Sequence, residues 1–486
     1  MNAHFDADPD SRRNWPRVPR HAFGRIDYSE QINDEKIIVG IDVIDADSFH
    51  DSEWVFQDAN FYWHQFFENS DDLSEWGAME EAFDQARIYH IEIEQPKNKL
   101  KKWFTQKMLD DQSSEWRLFH LSEAHSNNTV NAVNVYNGLF AEPVPAMLWN
   151  VTRVNRDTAY ALNAAFSMKY WPCKPSSKIK NVLGNVDASF LAAYDVGQGL
   201  ATGLLSESCL PTMFYDIGCG VYRNARTRPA GFSLCHCTSA PIVLSHWDAD
   251  HWAGAVYSSH KGMSNPYLKR TWIAPYDSRL GVKNSAFAFD ILKSGGKLLI
   301  WKHRTSLPLG PIRLKNGSEL TLLRGTGTDR NSSGIAAVVR HSSERDLKWL
   351  LTGDIDYQYL GTYSAQSFIA MTVPHHGSKI STSIPMPHHS LSQNPYRRLI
   401  YSFGPGNGFG HPTNDCIKKH HASGWNHGHW SPSLTATNVP GQDVLSSAHH
   451  LPSNRHLDSM IIGWDSIPTP VGLPCPKTCS AALNQS

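Results

Sequence analysis

Ser245-His246-Trp247-Asp248-Ala249-Asp250-His251-Trp252-Ala253-Gly254 follows directly on the apolar run Pro241–Leu244, so it sits where a buried strand ends. Four potential metal ligands, His246, Asp248, Asp250 and His251, fall within six residues. Alternate residues can point into one turn, and His251 can enter from the start of the following helix. Imidazole nitrogen and carboxylate oxygen suit zinc, manganese or iron. The plainer alternative is a solvated turn with helix-capping aspartates, but two His and two Asp in one strand-end turn exceed what capping requires.

Two later stretches also close apolar runs: Leu351-Thr352-Gly353-Asp354 and Val373-Pro374-His375-His376-Gly377-Ser378. A carboxylate at a strand end, here Asp354, can bridge two cations because it has two oxygens. A histidine from the next strand can then close the second site. Alone, the first stretch is a turn and the second a polar loop; their order and spacing after residues 245–254 give them weight.

Asp195-Val196-Gly197-Gln198-Gly199, Tyr215-Asp216-Ile217-Gly218, the stretch 245–254, the Asp354 and His375-His376 motifs, and Asn407-Gly408-Phe409-Gly410-His411-Pro412 occur in this order. The set resembles the metallo-β-lactamase superfamily. More narrowly, it is similar to the soluble hydrolase domain of ComEC-type DNA-uptake proteins and its free-standing relatives. The resemblance covers about half the chain. It implies an α/β fold, the four-layer αβ/βα metallo-β-lactamase sandwich, over residues 185–430. It also implies two divalent ions, Zn²⁺ or Mn²⁺, held by His246, Asp248, Asp250, His251 and a bridging Asp354. The last ligand is His375 or His376, with His375 favoured as nearer the strand. Asp216 lies beneath the site and orients ligands, Asp195 and Gln198 shape an adjacent turn, and His411 contacts substrate or leaving group or serves only as a turn.

Three departures from the pattern bear on the chemistry. The usual HxHxDH reads HxDxDH, with Asp248 in place of the second histidine, which makes one site richer in oxygen and favours harder ions such as Mn²⁺. His260 and His303 lie between His251 and Asp354, but neither has the setting of the usual third-motif ligand. Asn331-Ser332-Ser333-Gly334 stands there instead and is similar to the Asn/Ser motif of the ComEC-like subgroup, which implies a first site that is weak or filled only with substrate. Leu200 follows Gly199 where ComEC-like chains carry an acidic residue.

The rest of the chain is less informative. Residues 1–180 read as an N-terminal α+β region of unknown role, with 1–35 loose, a strand at Lys36–Val43, a helix near Leu73–Ile88, a solvated basic run at Lys97–Lys102, and an irregular Asn-rich segment to about Ser176. Residues 431–486 read as a partly mobile extension with one strand, Met460–Trp464. Seven of the 25 histidines lie between His411 and His450, and Cys235-His236-Cys237 and Cys475/Cys479 invite a metal reading, against free thiols in a reducing cytosol. The first residues lack the apolar core of a secretory signal, and no apolar stretch is long enough for a membrane helix, so a cytoplasmic protein is expected.

A net charge of -1 does not suggest a nucleic-acid coat. The expected function is a metal-dependent hydrolase, a phosphodiesterase or nuclease using a metal-bound hydroxide, with Asp250, Asp354 and His411 in catalytic roles. The substrate is then nucleic acid or a small phosphodiester. The alternatives are hydrolysis of C–N or C–O bonds, as in a lactamase or lactonase, and a non-catalytic binding protein that keeps the fold. The N-terminal region is a candidate contact for an oligomer or protein partner.

Overall fold

A computed structural model describes residues 1–32, 35–68, 77–109, 115–124, 131–229, 234–257, 265–302, 307–343, 346–381, 385–389, 396–433, 443–447 and 459–466. The chain divides into two compact units. The first is Met1–Pro172 with Val221–Ala225 and Tyr276–Leu298; the second is Cys173–Gly220, Arg226–Pro275 and Leu299–Ser486.

In the first unit six antiparallel strands close into a barrel: β1 (His21–Gln31), β2 (Lys36–Asp45), β3 (Ile88–Pro96), β4 (Arg117–Glu123), β5 (Ala132–Tyr136) and β6 (Val144–Arg153), in the order β1-β2-β3-β5-β6-β4. Side chains alternate across a strand. Ile37, Val39, Ile41 and Val43 of β2 therefore enter the barrel core with Tyr89, Ile91 and Ile93 of β3. Ile38, Asp42 and Ile44 face the other way and are buried as well, because the helix Val282–Lys293 packs on β2. That helix is buried from Val282 to Leu292, as expected where a helix is covered on all sides.

Two expectations are corrected here. Residues 1–32, expected to be loose, are packed into the fold: Phe5 is fully buried, and Asn2 donates to the Phe83 and Ala86 carbonyls. Their polar composition hid this because polar side chains such as Asn2 and His4 are buried with hydrogen-bond partners, and because the alternation of β1 is broken by a register shift between Ile26 and Tyr28. The stretch before Ser176 holds β4, β5, β6 and a helix, Arg156–Ala165; its asparagines include a helix cap, Asn155, which accepts from the Thr158 amide.

Asp290, on the helix Val282–Lys293, supplies a test of this packing. Burial raises its carboxyl from 3.8 to about 6. A raised carboxyl favours the folded state below its ordinary pKa, and that contribution is lost as pH rises through about 6. Ionising it in place therefore costs up to about 3 kcal/mol at neutral pH. Asp290→Asn is expected to be more stable than the parent chain at pH 8, with the gain vanishing by pH 4, in urea unfolding at both pH values. A gain equal at the two pH values would contradict this account.

The second unit contains two seven-stranded mixed sheets. Its strands are β7 (Phe190–Tyr194), β8 (Ala201–Leu205), β9 (Pro211–Ile217), β10 (Ile242–Val243), β11 (Thr271–Pro275), β12 (Lys297–Trp301), β13 (Leu309–Arg313), β14 (Glu319–Arg324), β15 (Ile335–Arg340), β16 (Lys348–Leu351), β17 (Ser367–Phe368), β18 (Ala370–Thr372), β19 (His388–His389), β20 (Arg398–Tyr401), β21 (Val444–Ser446) and β22 (Ser459–Ile462). One sheet runs β12-β11-β10-β9-β8-β7-β22 and the other β13-β14-β15-β16-β18-β20-β21; β17 pairs with β19 separately. Strands β9, β10 and β11 are parallel, as are β16, β18, β20 and β21. Both sheets contribute to one apolar cluster, in which Leu204, Tyr215, Val243 and Ile273 join Leu322, Ala337, Val339 and Leu351. The alternate residues Leu323, Ala336, Val338 and Leu350 enter a second cluster with Trp425 and Cys416 of the region after β20. Strands β14, β15, β16, β18, β20 and β21 of the second sheet are therefore apolar on both faces, which is why these runs read as continuous. Among the described residues no helix is long and apolar enough to cross a membrane.

Candidate metal centre

The motifs of the second unit follow the carboxyl ends of parallel strands, where open α/β sheets collect ligands. Asp216, next to last in β9, has its backbone in the left-handed region (φ 56) and its side chain fully buried. One of its oxygens accepts from the Ser245 amide at 2.6 Å; the other accepts from Ser245 Oγ at 2.6 Å and from His251 Nδ1 at 2.7 Å. Since the Ser245 hydroxyl gives its proton to Asp216, His246 Nδ1 donates to that hydroxyl oxygen at 3.0 Å. His376 Nδ1 donates to the Ser402 carbonyl at 2.8 Å. Three imidazoles thus have their Nδ1 protons committed, and each turns Nε2 inward. The Nε2 atoms of His246, His251 and His376 are buried and lack a hydrogen-bond partner. A hydrogen bond on the far nitrogen that fixes the near one is how protein imidazoles are prepared for metals.

Asp354 stands among them. Its Oδ1 lies 3.1 Å from His251 Nε2 and 3.9 Å from His376 Nε2, and its Oδ2 lies 3.6 Å from His246 Nε2 and 3.7 Å from His375 Nε2. Asp250 Oδ2 is 3.2 Å from His376 Nε2. Two groups have donor atoms all within 4.8 Å of one another: His246, His251 and Asp354, and Asp250, His251 and His376. These buried triads can hold metal ions, since their unpartnered nitrogens and carboxylate oxygens are the donors that divalent cations take.

The closeness of carboxylates and imidazoles shifts the titrating groups of the metal-free cluster. Burial alone would raise the Asp354 carboxyl, yet His251, His375, His246 and His376 outweigh it and hold it well below the ordinary range. Asp250 is lowered in the same way: burial opposes, and His376 and His251 prevail. Burial would lower His251, but Asp354 and Asp216 raise it well above the usual imidazole value.

Backbone shape explains two glycines of the motifs. A Cβ on Gly218 would lie 1.6 Å from the Asp250 carbonyl oxygen, and one on Gly353, at φ +55, would lie 2.6 Å from Ser245 Cβ. The glycines let the two turns approach each other and bring Asp250 and Asp354 to one place.

Other expected residues fall at different distances from this cluster. His375 was favoured as ligand, but it is His376 that joins Asp250 and His251. Both residues have left-handed backbone (φ 49 and 54), which turns His376 inward onto Ser402 and leaves the side chain of His375 30% exposed. Asp248 belongs to neither triad: its Oδ1 accepts from Arg330 Nη1 at 2.8 Å, and its Oδ2 lies 3.3 Å from His246 Nε2. His411 is buried and lies beside the centre, its ring centroid 5.6 Å from that of His375. Gln198 Nε2 donates to His411 Nδ1 at 3.4 Å, and Gln198 Oε1 accepts from the Gly404 amide. Asp195 Oδ1 accepts from the Gly197 amide within its own turn. The Asn331 carbonyl accepts from the Gly334 amide in the turn before β15. His260 and His303 lie outside the described residues.

Sequence reasoning gave Ser245, Ser402 and Arg330 no role. Ser245 and Arg330 were within reach, since Ser245 opens the quoted stretch 245–254 and Arg330 precedes Asn331–Gly334. Ser402 acts through its carbonyl, which no side-chain pattern reveals.

The remaining histidine and cysteine signals resolve differently. His420 bonds Tyr357 Oη and the Cys416 carbonyl, and His427 bonds Tyr401 Oη and the Trp425 carbonyl. Burial lowers both, His420 to about 3, so they are neutral core histidines. No metal-capable group among the described residues contains a cysteine; Cys475, Cys479, His449 and His450 lie outside them. In the barrel unit Asp27, Asp42 and His90 also cluster. There the Lys283 ammonium, 2.8 Å from Asp27 Oδ2 and 3.3 Å from Asp42 Oδ2, supplies the positive charge.

Compared with models of known protein families and with curated proteins, the chain gives no match.

Proposed function

We propose that the second unit is a metal-dependent hydrolase of metallo-β-lactamase type whose substrate is a phosphodiester. The observation that supports this reading is the convergence of three hydrogen-bond-orphaned Nε2 atoms with Asp250 and Asp354 at strand ends. The motif resemblance and the carboxylate-rich turn favour phosphorus over a lactam carbonyl. With net charge -1, a small phosphodiester suits the chain better than long duplex DNA.

His246, His251, His376, Asp250 and Asp354 are the residues that would hold two divalent ions, Zn²⁺ or Mn²⁺. Bound ions supply water of pKa near 7, down from about 16, and neutralise charge on the reacting phosphate. Asp250 is the more open of the two carboxylates, with its side chain 23% exposed against 3% for Asp354. Held ionised by His376 and His251, it can orient the attacking water and accept its proton. Gln198 donates to His411 Nδ1, which places the proton of the neutral ring on Nε2. His411 can then donate to the leaving oxygen. Asp216 and the Ser402 carbonyl keep the imidazoles in the tautomer this work requires.

The test is a substrate panel of linear and circular DNA, RNA, cyclic dinucleotides, bis(p-nitrophenyl) phosphate and nitrocefin, run separately with Mn²⁺ and Zn²⁺. Turnover of a phosphodiester is expected, and the His246→Ala/Asp250→Ala double variant should abolish it with the circular dichroism spectrum unchanged. Cleavage of nitrocefin alone would transfer the reading to C–N hydrolysis, and full activity in the double variant would remove the centre from the reaction.

A further inference from the structure

Arg330 is 6% exposed and belongs to the turn before β15. Its Nη1 donates to Asp248 at 2.8 Å. A guanidinium does not lose its proton in a protein, and its bond to a carboxylate is charge-assisted. Asp248 is therefore already neutralised, and it lies outside both donor triads. The ion-pair partners of Asp250 and Asp354 among the described residues are, in contrast, imidazoles.

A second constraint comes from His251, which appears in both triads. Its Nδ1 proton is committed to Asp216, so it has one lone pair, on Nε2, and can serve one ion only. Assigned to Asp250 and His376, it leaves His246 with one oxygen of Asp354 and an Asp248 held by Arg330.

We infer that Arg330 neutralises Asp248, whose Oδ2 faces His246 Nε2 at 3.3 Å, and so makes the centre asymmetric, with one divalent ion held tightly by Asp250, His251, His376 and Asp354 and a second held weakly at His246. This rests on the metal-centre reading given above. Arg330 acts here as a positioning residue, through Asp248. Its fixed charge stands one carboxylate away from His246, so it both occupies a ligand and repels a cation. An anionic substrate would add negative charge and oxygen donors beside His246, where the protein's own donors are few.

The test is a calorimetric Mn²⁺ titration of the full chain after chelator stripping, with circular dichroism as the check of folding. The parent chain is expected to bind one ion at least about tenfold more tightly than a second. Arg330→Gln, which removes the charge and frees Asp248, should tighten the second ion about tenfold and leave the first within about threefold, the scale on which changes beside metal ligands act. Arg330→Lys keeps the charge and should keep the second ion weak. Asp248→Asn should leave the tight ion within about threefold, because Asp248 is not among its donors. Two ions of equal affinity in the parent chain would overturn the inference while leaving the metal centre standing. So would a second ion loosened by Arg330→Gln, or a tight ion lost in Asp248→Asn. Should Arg330→Gln not fold, the parent ratio and Asp248→Asn decide. A parent chain that binds no ion would overturn both this inference and the proposed function.

Discussion

Replacement of Asp354 by Asn is expected to lower metal-dependent phosphodiester turnover by about three orders of magnitude or more while the chain still folds. The estimate starts from the about 10–100-fold cost of losing a group that only orients a metal ligand, and Asp354 contributes more than orientation. Its two oxygens approach four imidazoles, Oδ1 facing His251 and His376, Oδ2 facing His246 and His375. Asparagine retains one neutral oxygen and puts an NH₂ where the second oxygen was, so one side loses its acceptor and the other loses its charge. Turnover of bis(p-nitrophenyl) phosphate and metal content per chain measure both effects. Activity within about tenfold of the parent would mean that Asp354 lies outside the reaction centre.

The same substitution has a metal-free consequence. The folded-state carboxyl of Asp354 is lowered, its four imidazoles outweighing burial. A lowered carboxyl contributes stability that is present above its ordinary pKa and is lost as pH falls through the folded value. The stripped parent chain should therefore be more stable than Asp354→Asn at pH 7, with the gap closing in acid.

Lys283→Met should destabilise the barrel unit by about 3–5 kcal/mol, which is the usual cost of removing one partner from a buried ion pair. The Lys283 ammonium is the charge between Asp27 and Asp42, and the side chains of all three are no more than 3% exposed. Without it two carboxylates stay close together in the core, with His90 Nδ1 2.9 Å from Asp42 Oδ1. For a unit of this size the loss corresponds to a midpoint lower by roughly 6–20 °C in thermal unfolding. Adding Asp27→Asn and Asp42→Asn to Lys283→Met should recover most of it, since the penalty comes from stranded charge rather than lost packing. A single variant within about 1 kcal/mol of the parent, or a triple variant no better than the single, would show that the charges do not depend on one another.

The strands of the second unit were legible because their local pattern carries the information. The apolar run Pro241–Leu244 holds β10, and the expected strand Met460–Trp464 overlaps β22. Strand β8 was missed because Ala201, Thr202 and Gly203 give its first half little apolar character, although all five of its residues are buried. Strand β1 was missed because its alternation breaks at a register shift and its neighbours are charged. The helix Val282–Lys293 carries Lys283 and Asn284, residue types that suit a surface, yet both are buried.

By itself the sequence determined which side chains are available as metal donors and that they sit at the ends of apolar runs: His246, Asp250, His251, Asp354 and the His375-His376 pair. That much is local, since a strand's period and the turn after it are written in neighbouring residues. Which donors face one another was decided only by the tertiary structure. Left-handed backbone turns His376 inward, Arg330 captures Asp248, and Lys283 meets Asp27 across more than two hundred residues of chain. Each of these depends on the order in which strands pair and on the direction in which a turn projects its side chains. Those are properties of the assembled sheets, which no short stretch of residues encodes alone.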